Sequence, residues 1–288
     1  MQVMLGQVPS PPVQARRAGD LLRAALPGQD GDGATDWTKG VVAWPESLAG
    51  WRVIQDCSTT EVDYGLANAG QPVGARPFLI QTAVDCPRAP IPDMAARAAR
   101  RIEAITSQAV ARELWTGAAS AEDPWELPDG AAWDLSNPAG PTAGTYVNPH
   151  LAAADVGTAA GGPMAVLGQV EAAVADKTIG GPIYLHVPLD VLFELAIGLE
   201  RRGDLLVTPA GSIVVADGGY PGTATDGTTL AIYGTGPVQV WLGPTTVYDD
   251  PSQVVNASNN VARVWAERPA LVLFDPQTLV GAAVSPEG

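Results

Sequence analysis

The side chains best suited to chemistry are few in this sequence, and they do not converge. Two histidines, His150 and His186, fall in different regions. Imidazoles that hold zinc or relay protons sit at helical-turn spacing, as in HExxH, or accompany CxxC pairs. Neither spacing occurs, so no metal site is expected. His186 lies in the apolar run GPIYLHVPL, where a structural role inside a core is the expectation. A serine nucleophile on a GxSxG elbow is absent, as is a GxxxxGK phosphate loop. Gly234–Thr235–Gly236 is followed by Pro237 and a strand pattern, whereas a dinucleotide loop needs a helix N-terminus there; it reads as a turn. The acidic pairs Glu122/Asp123 and Asp249/Asp250 lie among prolines and read as solvated loop residues. Asp217 and Asp226 each precede glycine, a turn signature. Cys57 and Cys86 are read as reduced thiols, with a bridge across a hairpin as the alternative. No nucleophile, base and orienting group come together, and in a chain of 288 residues that silence favours a structural role over catalysis. No cofactor is expected.

The elements that would position any site follow from composition and periodicity. Hydrophobic residues make up 46% of the chain, enough for one or two cores, but no run of about 18 apolar residues marks a membrane span. The start lacks a secretion signal, so synthesis in the cytosol is expected. A formal charge of −15 argues against a dedicated nucleic-acid binder, yet acidic walls suit a container that must not adhere to DNA. With 32 Gly and 26 Pro, many turns and long extended connections are expected.

Residues 1–40 read as an extended arm with a short helix around Ala18–Leu26. Such an arm has no core of its own. Within 41–91, WRVIQDCSTTEVDY and PFLIQTAVDC carry strand signals around LANAGQPVGAR, which together suggest a long β-hairpin. Asp93–Thr116 is the clearest helix, started by Pro92 and Asp93, stopped by Gly117 and carrying the stripe Ala98, Ile102, Ile105, Ala109. Residues 118–154 are an irregular, proline-punctuated excursion. A second helix over Gly162–Lys177 presents Met164, Leu167, Val170 and Val174, and a third spans Leu189–Arg202. Strand pairs are expected in DLLVTPAGSIVVADGG and in TTLAIYGTGPVQVWLG, and a final strand in ARVWAERPALVLF.

The order arm, hairpin, one-sided helix, excursion, α/β block and terminal strands resembles the α+β Hong Kong 97-type capsid fold. Tailed-phage major capsid proteins and encapsulins share that fold. RRIEAITSQAVARELWTG, LLVTPAGSIVVADGGYPG and VARVWAERPALVLFDPQTLV are similar to segments of major capsid proteins from phages infecting actinobacteria. The resemblance implies an N-arm at 1–40, an E-loop hairpin at 41–91, a P domain with its spine helix at 92–155, an A domain at 156–255 and P-domain return strands at 256–288.

It also implies a virion subunit, assembled in the host cytoplasm into hexamers and pentamers of itself. Such a shell has a portal at one vertex, a scaffolding protein or protease during assembly, optional decoration proteins, and double-stranded DNA inside. Scaffolding is expected as a separate protein. An encapsulin-like compartment is the near alternative, and an enzyme with its site in the α/β block the distant one. Trp44, Trp51, Leu66 and Phe78 are the expected hairpin anchors between subunits, with Arg52 and Arg76 beside them.

Some members of the family cross-link neighbours through a Lys–Asn isopeptide bond with the lysine on the E-loop. Residues 51–88 contain Arg52, Arg76 and Arg88 but no lysine, and a guanidinium stays protonated and cannot serve as that nucleophile. Asn256, Asn259 and Asn260 therefore lack a donor. The expected outcome is a single band at subunit mass when assembled particles are boiled in SDS; a ladder of linked subunits would contradict it.

Overall fold

A computed structural model of the chain describes residues 20–27, 41–43, 52–53, 62–63, 73–87, 93–119, 148–159, 161–178, 180–249, 255–256 and 261–284. The longest helix, α2 (Met94–Thr116), follows a short α1 (Leu21–Ala24). Ala, Arg, Glu and Gln give α2 high intrinsic propensity. Gly117, at φ 60°, ends it by donating its N–H to the Glu113 carbonyl at 2.8 Å. Its start differs from expectation. Asp93 adopts φ 68° and its side chain makes no cap bond, so the helix begins without the expected capping chemistry. The buried seam is also wider than the predicted stripe. It runs through Met94, Ala98, Ile102, Val110, Ala111, Leu114 and Trp115, while Ile105 and Ala109 are half-buried at its margin.

Half of α2 covers a six-stranded sheet. Its central strand β16 (Val261–Phe274) pairs antiparallel with β6 (Phe78–Pro87) along one side, from Val261↔Pro87 to Ala270↔Phe78. Along the other side run β13 (Val238–Leu242), β14 (Thr246–Tyr248) and β15 (Val255–Asn256), and β1 (Leu26–Pro27) pairs parallel with β13. The two-residue period of a strand sorts the faces. Val264, Ala266, Ala270, Val272 and Phe274 of β16, with Phe78, Ile80 and Val84 of β6, join the core beneath α2. Leu271 and Leu273 face the other way, where they pack with Trp241 and Ala75.

A seven-stranded sheet, in the order β7-β17-β12-β8-β11-β10-β9, forms the second layer. Its strands are β7 (Val156–Thr158), β8 (Tyr184–His186), β9 (Glu200–Arg202), β10 (Leu205–Val207), β11 (Ile213–Val215), β12 (Ala231–Thr235) and β17 (Val280–Ala283). Helices α3 (Pro163–Ala175) and α4 (Leu189–Leu195) bury Val166, Leu167, Val170, Val174, Val191 and Leu195 against it. Met164, expected on that buried face, is instead exposed and lies over Gly198, where a Cβ would come within 2.3 Å of its methyl.

Three pairings differ from the sequence reading. PFLIQTAVDC (β6) finds β16 as its partner, not the segment 51–64. That segment contributes β3 (Arg52–Val53), which pairs with β4 (Val62–Asp63), nested inside the pair of β2 (Val41–Ala43) and β5 (Val73–Ala75). The tip expected around Gly70 lies outside the described residues. The expected third helix stops at Leu195, because the chain turns at Gly203 (φ 63°) to make the β9–β10 hairpin. The expected pair β12/β13 is divided between the two sheets. Gly236 at the crossing point donates to Thr278 Oγ1 at 2.8 Å, and an added Cβ there would come within 3.3 Å of Thr178 and Thr278. β13 and β14 pair with β16, and β17 belongs to the seven-stranded sheet, so each sheet draws strands from distant parts of the chain.

The C-terminal half of α2 reaches this second layer. Trp115 donates Nε1–H to the Thr223 carbonyl at 2.8 Å and meets the rings of Tyr220 and Tyr233 at 4.9 Å each. Gly219 presses on the helix so closely that an added Cβ would sit 2.0 Å from the Gln108 carbonyl oxygen. Gly219→Ala is expected to push the loop off α2 and destabilise the chain by about 1–3 kcal/mol, as overpacking does. A lowered urea midpoint with an unchanged slope would show it.

Candidate inter-subunit surface

The side chains best suited to chemistry have, where described, structural surroundings. His186 is fully buried between Tyr220, whose hydroxyl lies 2.8 Å from Nδ1, and Thr235, whose Oγ1 lies 3.1 Å from Nε2. Burial lowers its pKa to about 3, so the ring stays neutral at all ordinary pH. His150 places Nδ1 2.9 Å from the Asn148 carbonyl. Asp226 is the turn residue expected. It accepts the Thr228 and Thr229 N–H groups at 2.9 and 2.8 Å and the Thr229 hydroxyl, which draw its carboxyl down to about 2. Asp217 also closes a turn, accepting Gly219 N–H at 2.9 Å, but it is buried as well. Asp249 is exposed, and Glu122, Asp123, Asp250 and Cys57 lie outside the described residues, as does the Cys86 side chain. Among the described residues, no three His, Cys, Asp or Glu are grouped to hold a metal ion, and no helix is long and apolar enough to cross a membrane.

Of the expected anchors, Trp44, Trp51 and Leu66 lie outside the described residues, and Arg52 is described only as backbone in β3. Phe78 and Arg76 are placed. Phe78 is half-buried and packs on the core beneath α2. Its neighbour Leu79, on the opposite face by strand alternation, is the exposed one at 51%. Arg76 is tied to the body through its backbone. The buried side chain of Asn148 accepts the Arg76 N–H at Oδ1 (2.8 Å) and donates from Nδ2 to the Arg76 carbonyl (2.9 Å). The amide thereby imitates a ladder partner and fixes the base of the 41–75 hairpin where it crosses onto β6. Nothing in the sequence points to Asn148, because its partner is remote in the chain.

Two further exposed residues escaped sequence reasoning. Phe193 (85%) and Ile197 (97%) project from α4 and the turn after it. A signal was present: Leu189, Val191, Leu192, Phe193, Leu195, Ile197 and Leu199 crowd more apolar side chains into one short helix than a single face can bury. Among the described residues, the Trp241 Nε1–H on the sheet face away from α2 is buried without a hydrogen-bond partner, and so is the Tyr233 hydroxyl in the main core.

No protein-family model matches the chain, and no curated protein does. Solved structures do match in shape. The capsid of an empty GTA particle, computed with C5 symmetry, superposes with a TM-score of 0.51 at 11% identity, over 98% of this chain and 95% of that one. The fold is that of a capsid subunit. Chains from structures of Gordonia phage Cozz (12% identity, TM-score 0.47, 99% of this chain and 92% of that one) and Mycobacterium phage Adephagia (13%, 0.48, 99% and 95%) also align. Asn148→Ala leaves the Arg76 N–H and carbonyl without this partner, at a cost of about 1–3 kcal/mol. Amides of residues 73–80 are expected to exchange faster in that variant while those of α2 stay protected.

Proposed function

We propose that this chain is the major capsid protein of a tailed bacteriophage, of the Hong Kong 97 type, and that copies of it close into the icosahedral head that encloses double-stranded DNA. The observation that carries the reading is the match in fold to a capsid subunit over 98% of the chain. The division into N-arm (1–40), E-loop (41–91), spine-helix segment (92–155), A domain (156–255) and return strands (256–288) belongs to this proposal. The location is then the virion, after assembly in the host cytoplasm. The partners are further copies in hexamers and pentamers, a portal, a scaffolding protein or protease during assembly, and decoration proteins where the shell carries them. The reading requires no catalytic step.

Physical features of the chain support this. Phe193 and Ile197, on α4 and the turn after it, and Leu79 on β6 expose large apolar side chains. At about 25 cal/mol per Å² each patch alone gives a weak contact, and only a closed lattice sums many of them. Trp44, Trp51, Arg52, Leu66 and Arg76 are proposed to meet neighbouring subunits. Phe78 is proposed to set the base of the hairpin from within, with Leu79 turned toward a neighbour. The formal charge of −15 keeps the inner wall from adhering to phosphate.

The test is negative-stain microscopy of the purified full-length chain, alone and with crowding agents or co-expressed scaffold. Closed shells tens of nanometres wide are expected. Deleting residues 66–71, which spares the β2–β5 pair, is expected to leave a folded subunit that forms no shells. A chain that stays monomeric under every condition, or normal shells from the deletion, would count against the reading or against the hairpin's part in it respectively.

A further inference from the structure

Segment 20–27 docks on the body through an unusual group. Asp20 caps α1 by accepting the Leu22 N–H at Oδ1 (2.9 Å). The same oxygen meets the Ser107 hydroxyl of α2. That hydroxyl also lies 2.7 Å from Asp217 Oδ2, in the loop after β11. All three side chains are buried. Two carboxylates therefore contact one hydroxyl, and a hydroxyl carries one hydrogen. Ser107 can donate to only one of them. The contact to the other needs a proton from the carboxyl side.

The surroundings decide which carboxyl holds it. Asp217 receives two backbone donors besides Ser107: Gly219 N–H at Oδ1 (2.9 Å) and Leu21 N–H at Oδ2 (3.2 Å). Asp20 receives one, from Leu22. Asp20, with the fewer donors, is the one that keeps a proton; it donates to Ser107, and Ser107 donates to Asp217.

We propose that residues 20–27 form an acid latch, in which docking the segment onto α2 and the seven-stranded sheet takes up one proton, so that the segment is held more tightly as pH falls and released as pH rises. Burial, and then the charge of Asp217, hold the Asp20 carboxyl above its ordinary value, against the opposing hydrogen bonds from Ser107 and Leu22 and the charge of Arg23. A group that binds its proton more tightly when docked than when free adds to docking below the free carboxyl range. That contribution is lost as pH climbs through the docked value.

The other charged groups nearby are accounted for. Arg23 on α1 pairs with Asp204 at 3.4 Å on the exposed side. Glu103, one turn back from Ser107 on α2, is held by Arg268 at 2.8 Å. Tyr220 lies in the same loop as Asp217, its phenol raised by burial and by both carboxylates, and the His186 behind it is neutral. The rest of the docking is insensitive to pH: Leu21 is buried in the core, Tyr184 donates its hydroxyl to the Ala24 carbonyl at 2.8 Å, and Leu26 and Pro27 pair with β13.

Amide hydrogen exchange of the full-length chain between about pH 4 and 8, corrected for the intrinsic rate, reads the opening of residues 21–25 directly. The expected result is an opening constant that rises with pH by up to about tenfold per unit through the window above the ordinary carboxylate range, while amides around Val110 in α2 do not change. Asp20→Asn keeps the shape and does not titrate; its Nδ2 can donate to Ser107 only by giving up the acceptor for the Leu22 N–H, so the segment is expected to open more at every pH but with a flat profile. A flat wild-type profile overturns the latch, as does an Asp20→Asn chain that keeps the wild-type slope. If Asp20→Asn exposes the α2 amides through misfolding, the wild-type profile decides alone. The readout needs no assembled particle, so it is independent of the shell reading.

Discussion

Everything in this fold is referred to one helix. α2 extends about 35 Å at the usual rise, long enough to lie over one sheet with its first half and to lodge in a second with its last. Ile102 and Ala98 sit in the core above β6 and β16, and Trp115 sits among Tyr220 and Tyr233 at the other end. Between these anchors the helix carries Ser107, Gln108 and Glu113, where polar groups or backbone meet other elements. A rigid rod packed against both sheets within one shared core couples them. Neither sheet can shift along α2 without disturbing side chains that the other sheet needs, because packed interiors resist small displacements.

Attachment outside this frame is looser in kind. The hairpin base is held by a side-chain amide acting on Arg76, and segment 20–27 by a shared proton and a few backbone pairs. Across β6 and β16 the matched pairs Arg263–Asp85 and Gln81–Glu267 are exposed and contribute little energy. Their value is register: each sits directly opposite its partner, so a one-residue slip would lose both pairs and turn Leu271 and Leu273 to the wrong face. Strong burial thus defines the frame, and weaker directional bonds define how the extended pieces leave it.

This division explains what could be read from residue order. α2 was legible because its propensity, apolar period and glycine stop are local. β6 and β16 were legible as strands by alternation, but not as partners, since pairing across most of the chain leaves no mark near either strand. His186 announced itself as a core residue by its apolar neighbours. Asp217 was half legible: its glycine gave away the turn, but the contact with Ser107 depends on a fold that brings α2 beside the loop. Asn148 was invisible for the same reason. The surplus of apolar residues around Phe193 was visible and was wrongly assigned to a longer helix. The fold class and the order of elements came through; the contacts that hold the extended pieces did not.

The place of β17 has a consequence for synthesis. In the seven-stranded sheet it lies between β7 and β12, which no other strand joins. A ribosome releases β7 and β12 long before residues 280–283 emerge. Until then a gap one strand wide separates β7 from the rest, and neither neighbour has its backbone groups paired there. Folding of this layer is therefore completed late in translation. A product that stops short of residue 280 would carry an open seam and present a misshapen face to any would-be neighbour. The topology acts as a length check: only chains translated past that strand complete the seven-stranded sheet.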